Sequence, residues 1–255
     1  MPDLRIHAAH LRSLHRRGDP LVLPNAWDAA SAQAVERAGF AAVATTSSGV
    51  AASLGWADGE QTPPDEMFWA IARIARAVTL PVTADVEGGY GLEPEEVAQR
   101  LIDAGAAGCN LEDSDHRAGG GLLDPALQAA RIARLKRAAE ASGADLVVNA
   151  RIDVFLRGEG ERADRLEEAV RRAALYVEAG ADCVFPILAK GEALIAALLA
   201  TIPGPVNILA LAAGPSVTRM AALGAARVSF GGRLAQLSRV DHERRLAAIR
   251  GGEPV

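Results

Sequence analysis

One phrase recurs along the chain. A segment of alanine, leucine, arginine and glutamate at helical spacing ends in Ala-Gly or Leu-Gly, and a short, almost wholly apolar run follows. It is seen in AGFAAVATTS from Ala38, AGAAGCNLED from Ala104, AGADCVFPI from Ala179 and LGAARVSFGG from Leu223. The glycine suits the left-handed residue that closes a helix. The run, apolar throughout rather than alternating, suits a strand covered on both faces. Four further runs are introduced by proline or a small residue: LVLPNAW from Leu21, LPVTADV from Leu80, ADLVVNAR from Ala144 and GPVNILA from Gly204. The pattern therefore predicts eight strands. Helical periodicity between them predicts helices over Glu66 to Val78, Pro94 to Ala104, Pro125 to Ser142 and Arg162 to Ala179.

Eight strand-helix units with no break in composition point to an α/β fold, a (β/α)8 (TIM) barrel filling residues 1–255 as one domain. Residues 233–255 form a short helical tail that packs on the barrel or on a partner subunit. An open doubly wound sheet is the runner-up. Against it, the first strand leads into Leu23-Pro24-Asn25-Ala26-Trp27-Asp28 rather than a glycine-rich dinucleotide turn.

The formal charge of -5, with scattered basic residues, leaves no electrostatic footprint for nucleic acid. No charge-free apolar run is long enough to span a membrane, and the N-terminus has no signal-peptide pattern, so a cytoplasmic location is expected. Cys109 and Cys183 lie inside apolar runs and read as buried thiols, not as a disulfide or a metal pair.

In a barrel of this kind the chemistry sits where the strands end. Those ends carry Asn25 and Asp28; Thr45, Thr46, Ser47, Ser48 and Gly49; Asp85 and Glu87; Asn110, Glu112 and Asp113; Asn149, Arg151 and Asp153; Pro186; Asn207; and Ser229, Gly231 and Gly232. Asp85, Glu87 and Glu112 crowd three acids onto neighbouring strands, which calls for a positive charge among them. A hard divalent cation with oxygen ligands, Mg²⁺ or alternatively Mn²⁺, meets that need. Arg151 can grip a carboxylate through two hydrogen bonds. The plain alternative is an ion-pair network, Arg151 against Glu112 or Asp85, closing the top of the barrel. Thr45-Thr46-Ser47-Ser48-Gly49 reads as a turn rich in hydroxyls and amides that can hold an anion, or more simply as a loop with a helix cap. Ser114 to Asp124, with three consecutive glycines, reads as a mobile flap carrying His116 and Arg117. The plain alternative for His116 is an exposed loop histidine.

Taken in order, LPNAWDAASA, TTSSG, GWADGE, PVTADVEGGYG, GCNLEDS, VNARIDVF and GADCVFP resemble the isocitrate lyase and phosphoenolpyruvate mutase superfamily from Leu23 to about Arg233. The resemblance implies a barrel mouth holding Mg²⁺ near an aspartate, with a 2-oxo or 2-hydroxy carboxylate chelating it. By position, Asp85 matches the direct metal ligand, and Asp58, Glu87 and Glu112 match the residues that hold metal-bound waters. Ser47, Ser48 and Gly49 match the carboxylate clamp, with Asn207 and Asp85 also on the substrate. Arg151 matches the cation across the site, and Tyr90 the aromatic residue beside the metal. Family members form tetramers, so a homo-oligomer, dimer or tetramer, is implied.

Two departures narrow the reading. Members that cleave isocitrate, methylisocitrate or related malates carry Lys-Cys-Gly on the flap, whereas this chain has SDHRAGGGLLD. Phosphonate enzymes carry lysines and an asparagine after the Glu-Asp pair, also missing here. What remains is a carbon-carbon lyase or decarboxylase acting on a small 2-oxo acid through a metal-stabilised enolate of a pyruvate-like fragment, with His116 in place of the cysteine acid. The alternatives are a phosphonopyruvate-type mutase or hydrolase, and a non-catalytic 2-oxo-acid binding protein.

Overall fold

The computed structural model describes residues 3–116, 120–158 and 160–253. The first helix, α1 (Leu4–Ser13), precedes β1 (Leu21–Leu23) and β2 (Asn25–Ala26), two pieces of one run interrupted at Pro24. Then come α2 (Ala29–Arg37), β3 (Val43–Thr45), α3 (Ser47–Leu54), α4 (Pro64–Ala75), β4 (Val82–Asp85), α5 (Pro94–Ala104) and β5 (Gly108–Glu112). The chain continues through β6 (Ser114–Asp115), β7 (Gly121–Leu122), α6 (Pro125–Ala141), β8 (Val147–Ile152), α7 (Val154–Arg157) and α8 (Arg162–Glu178). It finishes with β9 (Cys183–Pro186), α9 (Glu192–Thr201), β10 (Asn207–Leu209), α10 (Val217–Ala222), β11 (Arg227–Ser229) and α11 (Arg233–Arg250).

All eight apolar runs are strands, and all pair in parallel, in the orders β2-β3-β4-β5-β8-β9 and β1-β11-β10. A bridge from Val184 to Val206 lies between the two groups. Helices between consecutive strands cover this sheet, and Ile71, Leu101, Ile132, Leu135 and Leu198 are fully buried beneath it. The helix ends are set locally. Proline opens α4, α5 and α6, where a missing N–H costs nothing. Asp28 caps α2 by accepting from Ser31 N at 2.7 Å, and Gly105 closes α5 with φ 78°.

Three local expectations change. Ser47 to Leu54 is not a loop but helix α3, so the polar TTSSG stretch runs from the end of β3 through the cap residue Thr46 into the first turn of a helix. Ser114–Asp115 and Gly121–Leu122 pair as an antiparallel hairpin within the expected flap. Its tip, including Arg117, lies outside the described residues. Asp28 serves as a helix cap rather than a mouth residue. Among the described residues no helix is long and apolar enough to cross a membrane.

Candidate active site

The strand register brings the acids together. Asp85 pairs with Asn110, and Glu112 with Arg151, so β4, β5 and β8 end side by side. Asp85 is 9 % exposed; its Oδ2 accepts from Ser47 N at 3.0 Å, and its own N–H donates to Thr45 Oγ1 at 2.8 Å. Its Oδ1 is buried with no partner. A carboxylate oxygen left without a donor in a protein interior is costly, which marks Asp85 Oδ1 as a position suited to a cation.

Beyond Asp85 the chain turns sharply through Glu87-Gly88-Gly89-Tyr90-Gly91. Glu87 (φ 49°) and Tyr90 (φ 55°) both take left-handed backbone, as does Glu60 (φ 58°). These three share a network: Tyr90 Oη donates to Glu87 Oε1 at 2.7 Å, Glu60 N to Glu87 Oε2 at 2.8 Å, and Tyr90 N to Glu60 Oε1 at 2.7 Å. Strained non-glycine residues clustered at one place are a mark of functional sites. Burial raises the Glu87 pKa to about 7 against the Tyr90 hydrogen bond that lowers it, and Asp58, Asp85 and Glu112 raise it further. The Tyr90 hydroxyl is itself held protonated by burial and by Glu87.

Glu112 is 2 % exposed and held from two sides. His116 Nε2 lies 2.6 Å from its Oε1, and Arg151 Nη1 lies 2.5 Å from its Oε2 as an ion pair whose angle is not that of a hydrogen bond. Burial pushes Glu112 up, and the Glu112 contact raises His116. His116 is therefore no ordinary exposed loop residue. Arg151 also donates from Nε and Nη2 to Asp153 at 2.7 and 3.0 Å. The ion-pair network considered from sequence exists, and it surrounds the same acids. Glu87, Glu112 and His116 can place three ligand atoms within 4.8 Å of one another. Asp58 and Asp85 flank this trio, each acting on the charge of Glu87. Asp58 keeps an exposed side chain, yet crowding by protein and the nearby Asp85 raise its pKa.

Other expected residues are placed differently. Asp113 faces away from the acids and binds Arg172 Nη1 at 2.9 Å, Tyr176 Oη at 2.7 Å and Asp153 N at 2.8 Å. Asn25 ties Thr45 O to Phe230 N. Asn207 is fully buried against Ser229, at 3.1 Å. Ser48 and Gly49 edge a cavity of about 430 Å³ whose walls include Leu209, Phe230, Gly232 and Arg233. Glu60 escaped the sequence reading although it stands in the GWADGE motif; its role depends on a fold that brings two turns together. Arg227 escaped it too, because one arginine inside an apolar strand reads as an edge residue.

The model of the phosphoenolpyruvate phosphomutase family matches residues 11–250. An uncharacterized protein of Mycobacterium tuberculosis, MT2054, is 39 % identical over 219 residues, covering 86 % of this chain and 80 % of that one. The crystal structure of a candidate phosphonomutase from Burkholderia cenocepacia J2315 is 44 % identical with a TM-score of 0.87, over 96 % of this chain and 99 % of that one. The 2-methylisocitrate lyase of Aeropyrum pernix is 33 % identical over 184 residues, 69 % of this chain and 56 % of that one. The chain belongs to the isocitrate lyase and phosphoenolpyruvate mutase superfamily. Its members are enzymes, lyases and mutases among them, typically dependent on a divalent metal and acting on small carboxylates.

Proposed function

We propose that this protein is a Mg²⁺-dependent carbon-carbon lyase or decarboxylase acting on a small 2-oxo or 2-hydroxy carboxylate. The observation that carries the reading is the bare, buried Asp85 Oδ1 beside Glu87 and Glu112. Asp85, with Asp58, Glu87 and Glu112, would hold the metal, and Mn²⁺ suits the same oxygens. When bound, the metal offsets the negative charge that develops on the oxygen of a pyruvate-like enolate.

The chain's own residues supply the rest. The first turn of α3 has no side-chain cap, so its N–H groups at Ser48 and Gly49 are available to a substrate carboxylate, beside Ser47 on Asp85. Arg151, across from it, balances the substrate's charge while Asp153 keeps its fork aligned. Tyr90 fixes Glu87. Asn207, beneath the mouth, orients polar groups there through Ser229. In decarboxylation the bond to the departing carboxylate breaks, CO₂ leaves, and the electron pair passes to the enolate. His116, which carries a raised pKa against Glu112, then gives its proton to the enolate carbon.

The fold reading extends the same way. Continuity of β1 with β2, the Val184–Val206 bridge and the contact of Phe230 N with Asn25 Oδ1 support a closed barrel forming one domain. On α11, Leu237, Val240, Leu246 and Ile249 are each about half exposed, which supports burial against a second subunit in a homo-oligomer. A phosphonopyruvate-type mutase or hydrolase is the second reading, favoured by the name of the Burkholderia cenocepacia relative.

The test is formation of pyruvate from oxaloacetate, methylisocitrate, dimethylmalate and phosphonopyruvate, and of phosphoenolpyruvate from the last, with and without Mg²⁺, beside an Asp85→Ala control. Metal-dependent pyruvate from a carboxylate substrate, lost in the control, is the expected result. Turnover of phosphonopyruvate alone would establish the second reading. No turnover of any compound, with metal-dependent binding retained, would favour a substrate outside this panel or a 2-oxo-acid binding protein.

A further inference from the structure

Barrel-type interiors are ordinarily filled by branched apolar side chains. Here β11 places an arginine there. Arg227 is 1 % exposed. Its Nη2 donates to Asn110 Oδ1 at 3.1 Å, reaching across to β5, while the β1–β2 run, β3 and β4 lie between β11 and β5. The same Asn110 oxygen accepts from Asn149 Nδ2 at 2.8 Å, so one amide gathers donors from two other strands. Arg227 Nε and Nη1 have no protein partner, and neither do Asn149 Oδ1 and Thr83 Oγ1. Burial lowers the Arg227 pKa, and the Asp85 charge acts against that. Below it stands His15, whose Nδ1 is 2.8 Å from Leu11 O and whose Nε2 is unpartnered. His15 is held neutral by burial and by Arg227, its pKa pushed down to about 4.

A guanidinium cannot shed its proton, so a buried one with two idle nitrogens lowers stability unless water or charge answers it. An arginine serving the fold would be saturated, as Arg172 is between Asp113, Glu168 and Leu123 O. Arg227 instead has one neutral acceptor, and that acceptor sits in register with Asp85 and two residues before Glu112. Given the lyase reading above, on which this rests, we propose that Arg227 is a positioning residue: a buried cation beneath the acid cluster that fixes Asn110 and supplies the positive field an anionic substrate meets on binding.

The experiment uses the full chain with Mg²⁺ and oxalate, a planar dianion resembling a 2-oxo-acid enolate, measured by titration calorimetry alongside thermal unfolding. The wild-type chain is measured first. Absence of metal-dependent oxalate binding there would overturn the lyase reading and this role with it. With wild-type binding present, Arg227→Met is expected to weaken oxalate at least about tenfold while its melting temperature holds or rises, because an unsaturated buried charge has gone. Arg227→Lys should recover part of the loss. Asn110→Ala should weaken oxalate in the same direction, and the double variant should be no weaker than Arg227→Met alone, the signature of one shared pathway. Oxalate affinity within twofold of wild type in Arg227→Met, with a lowered melting temperature, would make Arg227 a purely structural residue. Should Arg227→Met fail to fold, the lysine and Asn110→Ala variants decide alone, and unchanged affinity in both would overturn the proposal.

Discussion

Glu112 and Asp113 are neighbours in sequence and belong to opposite kinds of site. Both are buried, and burial raises the pKa of both. Asp113, on the helix side of the sheet, is saturated by Arg172, Tyr176 and the Asp153 amide. Glu112, on the other side, leans on a histidine and an arginine and shares its surroundings with Glu87 and Asp85, whose bare oxygen faces no donor. A structural acid is recognised by its donors; a working acid is recognised by other acids and by what it lacks.

The largest separation of the two regions should come from Asp85→Ala. It removes the carboxylate whose Oδ1 has no donor, so metal-dependent turnover should fall roughly 10³-fold or more, several kcal/mol, while the unfolding midpoint in urea stays near that of the wild type. Asp113→Ala should do the reverse. Stranding the buried Arg172 should lower stability by about 3–5 kcal/mol in denaturant titration, with metal affinity nearly preserved in the folded fraction. If Asp113→Ala abolished metal binding at full stability, the division between the two acids would fail.

A smaller effect tests how the acids are tuned. Tyr90→Phe deletes a hydrogen bond to Glu87, worth about 1.5–3 kcal/mol when the acceptor is charged, so turnover should drop about tenfold and the rising limb of the pH profile should move upward. An unmoved limb would show that Glu87 does not govern it. His116→Ala should retain substrate binding and lose turnover; unchanged turnover would remove His116 as the proton donor.

The smallest effect is on stability against pH. The Glu87 pKa is near 7 in the folded chain and about 4.5 in the unfolded one, so between these values the folded state holds the extra proton. Stability of the metal-free protein should therefore be greatest below about pH 4.5 as far as this group is concerned, and should decline as pH rises toward 7. Mg²⁺, which favours the ionised carboxylates, should flatten the decline; urea titrations at several pH values with and without metal read it directly.

Much of this was legible in the chain itself. The eight apolar runs all became strands, and the acids at their ends became neighbours, because a parallel sheet aligns strand ends. What escaped was whatever depends on direction or on distant pairing. Alternation sends Glu112 and Asp113 to opposite faces, but which acid goes where follows from register. TTSSG has the polarity of a turn, yet its position after β3 makes it the start of α3. Arg227 sits in a run whose other residues are mostly apolar, and only Asn110 on β5, a distant strand in the pairing order, shows that its side chain points inward.

Gly88 is where three parts of the site's cover meet. A methyl group added there would lie 3.0 Å from Glu60 Oε1, 3.4 Å from His116 Cδ2 and 3.5 Å from the Ser114 carbonyl. Its backbone is not left-handed, so alanine is conformationally permitted. Gly88→Ala is thus a wedge one carbon wide, set between the cover and the acids, pressing on the Glu60 carboxylate without adding or removing a charge. It offers a means of timing how tightly the cover must seat: a substrate that turns over only when the seal is complete feels the wedge in its rate, and one that reacts with the cover ajar does not.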